Sequence, residues 1–213
     1  MNEQTEDTII NRSGEQSILE AAEKLFAEKG FDAVSMSAIA TLANTSKPNI
    51  YHHFKNKNEL YLAIVKKAVS RTTALLDAIE QAPGTLSQHL VDFSFGQLKN
   101  MLENQQSTQL VLREALSGGS ERGREISRVV FRDVFSRLIS LIEKGQRKDE
   151  FRKEIDPTLA AFMIISLNSF FFQSKPVMQY IPEAAFINDP GNFSRGIMDI
   201  LFNGVVKNRE TES

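Results

Sequence analysis

The sequence predicts an all-α protein, and three observations lead to this prediction. Apolar residues recur at helical spacing over long segments, glycine and proline are scarce (11 and 6 of 213 residues), and tryptophan and cysteine are absent. The hydrophobic content of 41% is enough to build a buried core in one large domain or two modest ones. The absence of cysteine excludes disulfides, thiol catalysis and cysteine-based zinc sites.

The first residues, 1–12, are polar and acidic on balance and predict a disordered tail. They contain no apolar stretch of the kind found in a secretion signal, and no apolar run in the sequence reaches about 18 residues. We therefore expect a cytoplasmic protein that does not cross a membrane.

A small helical domain is predicted over residues 13–57. Its first helix begins at Ser13, which forms a capping box with Gln16, and stops at Gly30. Ser35 caps a second helix with a single apolar stripe on two turns. The stripe consists of Met36, Ile39, Ala40 and Ala43.

A third short helix follows a tight turn. Asn44 suits the positive φ that the turn requires, Ser46 caps the helix, and Pro48 lies in its first turn. Ile50 and Phe54 face inward, so the polar and basic residues between them are left to point outward or sideways. Two short helices joined in this way predict a helix-turn-helix whose second helix can enter a DNA major groove.

The segment that begins at Ser35, SMSAIATLANTSKPNIYHHFKNKNELYLAIV, resembles the DNA-binding domain of the TetR family of bacterial transcriptional regulators. The resemblance is carried by the following features: the Ser35 cap, the Ile39-Ala40 pair, the turn from Ala43 to Ser46, the pair Tyr51 and Phe54, and Lys57 with Leu60. The chain departs from the family at Asn44 and Thr45, where glycine and valine are usual, and at Pro48, which replaces a common glycine.

The resemblance and the local charge together predict the DNA contacts. No Asp or Glu occurs from Ala33 to Asn58, so a narrow positive field is expected that touches a few phosphates. Lys47 and Asn49 are predicted to contact base edges, although an ordinary solvated face is the alternative. The other predicted contacts position the protein on the backbone, and Ser35 and Ser46 are equally well explained as helix caps. These residues are Ser35, Thr45, Ser46, Pro48, Tyr51, His52, His53, Lys55 and Lys57.

A larger helical domain for ligand binding and dimerisation is predicted over residues 58–207, with a short tail at 208–213. Asn56 with Glu59 starts a helix that continues to about Glu80, and Asp156-Pro157 starts another. Further helices are predicted at 85–103, 108–117, 120–148 and 193–207, and the apolar run 159–172 is expected to be buried. The TetR resemblance implies a homodimer through the last two long helices and a pseudo-palindromic operator with half-sites roughly 34–36 Å apart.

The second domain is rich in phenylalanine, and the resemblance implies a pocket for a small apolar or aromatic effector. A packed core is the alternative for every one of these residues. The predicted ligand-binding residues are Phe93, Gln97, Met101, Phe131, Phe135, Met163, Asn168 and Phe171.

The function that these features favour is a DNA-binding transcriptional regulator, most simply a repressor that an effector releases from its operator. The adjacent histidines His52 and His53 diverge by about 100° on a helix, so neither a metal site nor another cofactor is expected. No catalytic constellation is visible, so we do not expect an enzyme. The alternatives are an activator or a protein-interaction module with the same fold and no effector, and a helical enzyme or lipid carrier.

Overall fold

The computed structural model describes residues 3–116, 124, 128 and 132–204, and within these residues the fold is entirely helical, as predicted. The helices are α1 (Glu3–Lys29), α2 (Met36–Leu42), α3 (Lys47–His53), α4 (Lys57–Gln81), α5 (Leu86–Glu103), α6 (Gln105–Leu116), α7 (Arg132–Arg147), α8 (Pro157–Met178) and α9 (Pro190–Asn203). A short 3₁₀ segment, Pro182–Asn188, separates α8 from α9.

Several predicted helix ends differ from those in the structure. Helix α1 begins at Glu3, so the predicted start at Ser13 is wrong; residues 3–12 contain no proline or glycine that would stop the helix. Helix α9 begins at Pro190 instead of residue 193, because the Asp189 side chain accepts a hydrogen bond from the Asn192 N–H at 2.9 Å. Of the helix predicted over 120–148, the part from Arg132 is described as α7 and most of the rest lies outside the described residues.

The chain divides into two compact units. The first comprises residues 1–70 and 104–130, and the second comprises residues 71–103 and 131–213. This division differs from the predicted boundary at 57/58, because the first part of α4 and the whole of α6 belong to the first unit. The division concerns packing; the functions assigned to the two predicted domains remain predictions.

The first unit is built around α1, and α6 is attached to it by polar contacts. The Arg113 guanidinium donates to the carbonyls of Phe26 and Ala27, both at 3.1 Å, and so satisfies two acceptors at the C-terminal end of α1. The buried Tyr61 hydroxyl donates to the buried Glu114 carboxylate at 2.9 Å. These contacts join α1, α4 and α6 in one unit.

The second unit packs α5 against α8 and α9, and α7 against α8. Its described core includes a cluster of Leu98, Phe171 and Ile187. Arg137 of α7 forms ion pairs with Asp77 at 2.8 Å and Glu80 at 3.0 Å on α4. The hydrogen bonds that Arg137 donates to Glu80, and then to Asp77, raise the pKa of Arg137, so this connection is not sensitive to physiological pH.

Gly145 of α7 lies at a position where replacement by alanine is expected to destabilise the protein. Replacing a helical glycine with alanine normally stabilises a helix by about 1 kcal/mol, but a Cβ on Gly145 would lie 2.0 Å from Cδ2 of Phe151. We therefore expect Gly145→Ala to lower the free energy of unfolding by about 1–3 kcal/mol in urea titrations. Gly196→Ala is the control: its Cβ would meet nothing within 4 Å, and it should stabilise by about 0.5–1 kcal/mol. Stabilisation by both substitutions would contradict this account.

Candidate nucleic-acid interface

The helix-turn-helix geometry agrees with the local sequence signals. The hydroxyls of Ser35 and Ser46 accept hydrogen bonds from the N–H groups of Ala38 at 3.1 Å and Asn49 at 3.3 Å, so both are N-caps. Asn44 has the predicted positive φ, 50°. Ile50 is fully buried in the first unit, and so α3, a helix of seven residues, is held by packing.

One face of α3 is open to solvent and basic. Lys47, Pro48, Tyr51 and His52 are exposed, and their spacing of i, i+1, i+4 and i+5 places them on the same side of the helix. We call these four residues the reading face. Ser46, at the start of α3, and Lys55, just after its end, are also exposed. The arrangement presents donors of fixed position that can contact base edges and neighbouring phosphates.

Two predicted contact residues turn away from the reading face. Asn49 and His53 are half-buried, and a Cβ on Gly14 of α1 would lie 4.0 Å from Asn49 Nδ2 and from His53 Nε2. The Asn49 amide also donates to the hydroxyl of the half-buried Thr45 at 2.9 Å. This geometry gives Asn49 and Thr45 a role in fixing the turn, and contact between Asn49 and a base edge stays a prediction.

Lys57, a predicted phosphate contact, also has a structural role that the sequence did not indicate. Its ammonium donates to the carbonyls of Phe31 and Val34, both at 2.9 Å, and lies 4.3 Å from the centre of the Phe31 ring. Two of its three donors therefore hold the loop between α1 and α2 against the start of α4, which leaves one donor for a phosphate.

The first acidic residue after the basic segment is engaged in a helix cap. The Glu59 carboxylate accepts a hydrogen bond from the Lys55 N–H at 2.7 Å, while the Glu59 N–H donates to Asn56 Oδ1 at 2.8 Å. Together these bonds confirm the predicted capping signal at the start of α4. Directing this carboxylate to the backbone limits its effect on the positive field of the reading face.

The predicted ligand-binding residues are scattered within the second unit. Phe93, Gln97, Asn168 and Phe171 are buried, whereas Met101 and Phe135 are half-buried and Phe131 lies outside the described residues. Asn168 Nδ2 donates to the Ser94 carbonyl and to Gln97 Oε1, both at 2.9 Å. Gln97 and Asn168, the two polar residues among the predicted ligand-binding residues, are therefore hydrogen-bonded to each other, as in a packed core.

A cavity of about 590 Å³ lies elsewhere in the second unit, among α5, the ends of α7 and α9, and the start of α8. Of the predicted ligand-binding residues, Met163 lines it. Sequence reasoning missed the rest of the lining because it comes from five separated segments with no shared local pattern.

Helix α8 is apolar on its solvent side as well as in its core, so the part of the apolar run that faces solvent is not buried within the single chain. Phe162 is 58% exposed and Phe170 is 69% exposed, and Leu159 and Val177 lie exposed along the same helix. We call these four residues the α8 apolar face. Helix α8 is long and apolar enough to cross a membrane, but core helices of soluble proteins meet the same criterion of length and composition.

A short helix with a fixed basic reading face, set by a tight turn against two supporting helices, defines a helix-turn-helix DNA-binding protein. Comparison with known families specifies the class further. The model of the tetR family of bacterial regulatory proteins matches residues 18–64, and the model of the tetracyclin repressor-like C-terminal domain matches residues 83–191. The chain belongs to the TetR family of transcriptional regulators, as its sequence predicted.

Similar proteins agree with this assignment. The HTH-type transcriptional regulator YhgD of Bacillus subtilis is 31% identical over 70% of this chain and 78% of its own length. The transcriptional repressor NicS of Pseudomonas putida is 28% identical over 73% of this chain and 74% of its own length. A solved structure of FadR from Bacillus subtilis with stearoyl-CoA has a TM-score of 0.73 at 18% identity, covering 90% of this chain and 99% of that one, and shows the same fold. These named relatives are regulators of transcription and not enzymes.

Proposed function

We propose that the protein is a cytoplasmic repressor that binds a pseudo-palindromic operator as a homodimer and leaves it when a small apolar effector binds the second unit. The observation that carries the proposal is the reading face: four exposed residues on a helix anchored by buried Ile50, in a segment without acidic residues from Ala33 to Asn58. Repression is favoured because NicS, which matches most of the chain, is a repressor.

The α8 apolar face supports the homodimer. Large exposed apolar side chains along one face of a long helix are unusual on the surface of a monomer, and a second copy of the same face would remove them from water. A two-fold dimer then presents two reading faces, so the operator should contain two inverted half-sites about one helical turn apart, roughly 34–36 Å.

Three observations support an effector that acts through the second unit. Its cavity of about 590 Å³ falls in the usual size range of small-molecule sites. Helix α4 contributes residues 57–70 to the first unit and residues 71–81 to the second, so a single helix is shared by both. The structurally similar FadR was crystallised with stearoyl-CoA, a ligand with a long apolar part. Effector affinity and operator affinity should then be reciprocally coupled.

Selection of genomic fragments by the purified protein, followed by sequencing of the retained DNA, tests the DNA-binding half of the proposal. Enrichment of an inverted repeat is expected at moderate salt. Placing the enriched sequence downstream of a reporter promoter then tests repression, and the reporter should be silenced when the protein is expressed. Retention of random DNA, or activation of the reporter, would contradict the proposal.

Lys47→Ala is expected to weaken operator binding by about tenfold to a hundredfold, because a side chain that donates to a base is worth about 1–3 kcal/mol of discrimination. Binding to random DNA should fall less, and fluorescence anisotropy with both DNAs measures the difference. Lys99→Ala is the matched control, since Lys99 is an exposed lysine of the second unit whose removal changes the net charge equally. Equal losses from both variants would show that Lys47 acts through its charge and not through base contact.

A further inference from the structure

The cavity in the second unit has a mostly apolar wall and an arginine side chain at its opening. Ile142, Ile164, Met163 and Met198 contribute aliphatic and thioether surface to the lining. Arg152 also lines the cavity and is exposed, so it lies where the cavity meets solvent.

The loop that carries Arg152 is held in place by hydrogen bonds made with its backbone groups. Gln146 Nε2 donates to the carbonyls of Arg152 at 2.9 Å and Ile155 at 2.7 Å. The N–H groups of Glu150 and Phe151 both donate to the carbonyl of Gly145. The loop position of Arg152 is therefore fixed before any ligand arrives, which lowers the entropic cost of using it for binding.

The charged residues around the opening differ in whether their side chains have a bonding partner. Glu150 is the acidic residue of the lining, and its carboxylate accepts a hydrogen bond from the Leu86 N–H at 2.8 Å, at the positive end of α5. The neighbouring cation Lys153 is paired with Asp149 at 2.6 Å. Within the described residues the Arg152 guanidinium has no ion pair or hydrogen bond. An apolar chamber with an unengaged guanidinium, carried on a fixed backbone at its entrance, is complementary to an apolar body with an anionic head.

We infer that this cavity binds an amphipathic carboxylate, with the apolar chain inside and the carboxylate on Arg152. This assignment deepens the proposed function by naming the class of effector and the residue that selects it. The site should therefore prefer carboxylic acids to the corresponding alcohols, which fill the same apolar space but offer no charge to the guanidinium. Leu159 belongs both to the lining and to the α8 apolar face, so a partner copy on α8 would help to close the cavity.

The test uses dodecanoate and dodecan-1-ol below their aggregation limits, titrated into the full-length protein by calorimetry. Dodecanoate should bind one molecule per chain and more tightly than the alcohol. Arg152→Gln should weaken dodecanoate binding by about tenfold and leave the alcohol unchanged. Lys153→Gln is the matched control and should change neither. Ser87→Leu, which narrows the cavity from α5, and Ala160→Leu, which narrows it from α8, should each weaken binding of both probes, with circular dichroism confirming that the variants are folded.

Equal affinity for the acid and the alcohol together with no effect of Arg152→Gln would overturn the inference. Unchanged affinity in folded Ser87→Leu and Ala160→Leu would also overturn it, because the ligand would then lie elsewhere. Operator binding in the same samples is a separate test. An operator complex that persists with dodecanoate bound at Arg152 would refute the effector half of the proposed function and leave this inference intact, whereas failure to bind dodecanoate would refute the inference and leave the DNA-binding proposal standing.

Discussion

A double variant, Phe162→Glu with Phe170→Glu, is expected to be monomeric and to bind the operator at least about a hundredfold more weakly than the unaltered protein. Both side chains belong to the α8 apolar face and are mostly exposed in the single chain. Two carboxylates in an apolar two-fold contact would face their symmetry mates and would have to be desolvated next to like charge. The loss in operator affinity follows because each half-site would then have to be bound by an independent reading face.

Sedimentation velocity measures the oligomeric state, and anisotropy with an operator and with a single half-site measures the affinity. The variant should bind the operator and the half-site with similar affinity, whereas the unaltered protein should strongly prefer the operator. Phe95→Glu is the control, because Phe95 is an exposed phenylalanine of α5, outside the α8 apolar face. A double variant that remains a dimer would place the subunit contact elsewhere, and a monomer with unchanged operator affinity would refute cooperative half-site binding.

The local elements of the DNA-binding segment could be predicted from the sequence because each depends on neighbouring residues. The caps at Ser35, Ser46 and Asp156 are hydrogen bonds that span three residues or fewer, and the positive φ of Asn44 is a conformation that asparagine itself tolerates. The Asp189-Pro190 pair is the same start signal as Asp156-Pro157, and it marks the observed start of α9, although the sequence prediction placed that start at residue 193.

The orientation of side chains on α3 could not be predicted from spacing, because it depends on contacts distant in sequence. Asn49 appears polar and outward on a helical wheel, but the position of Gly14 in α1 determines what lies beside it. Lys57 is likewise engaged by carbonyls at Phe31 and Val34, which are more than 20 residues away. Local charge indicated the right segment, and tertiary contacts decide which of its residues reach outward.

Phe26→Ala is expected to have the largest effect on stability, lowering the free energy of unfolding by about 3–5 kcal/mol, the usual loss for a large aromatic side chain in a core. Phe26 is fully buried, stacks on Phe31 with ring centroids 5.7 Å apart, and meets the edge of Tyr61 at 5.1 Å. Its carbonyl also accepts a hydrogen bond from Arg113. The ring therefore joins α1, the following loop and α4, elements that support α3 within the first unit, and operator binding should be lost with the stability.

Tyr51→Ala separates the loss of a DNA contact from the loss of structural support for α3. Tyr51 is 49% exposed on the reading face, so its removal should leave the urea unfolding midpoint nearly unchanged while operator affinity falls. Phe26→Leu should recover most of both properties, because leucine restores much of the buried volume. If Phe26→Ala unfolded at the same urea concentration as the unaltered protein, the aromatic cluster would not be the support of the DNA-binding unit. If it lost stability but kept full operator affinity under folding conditions, α3 would be positioned by Ile50 and its caps without the cluster.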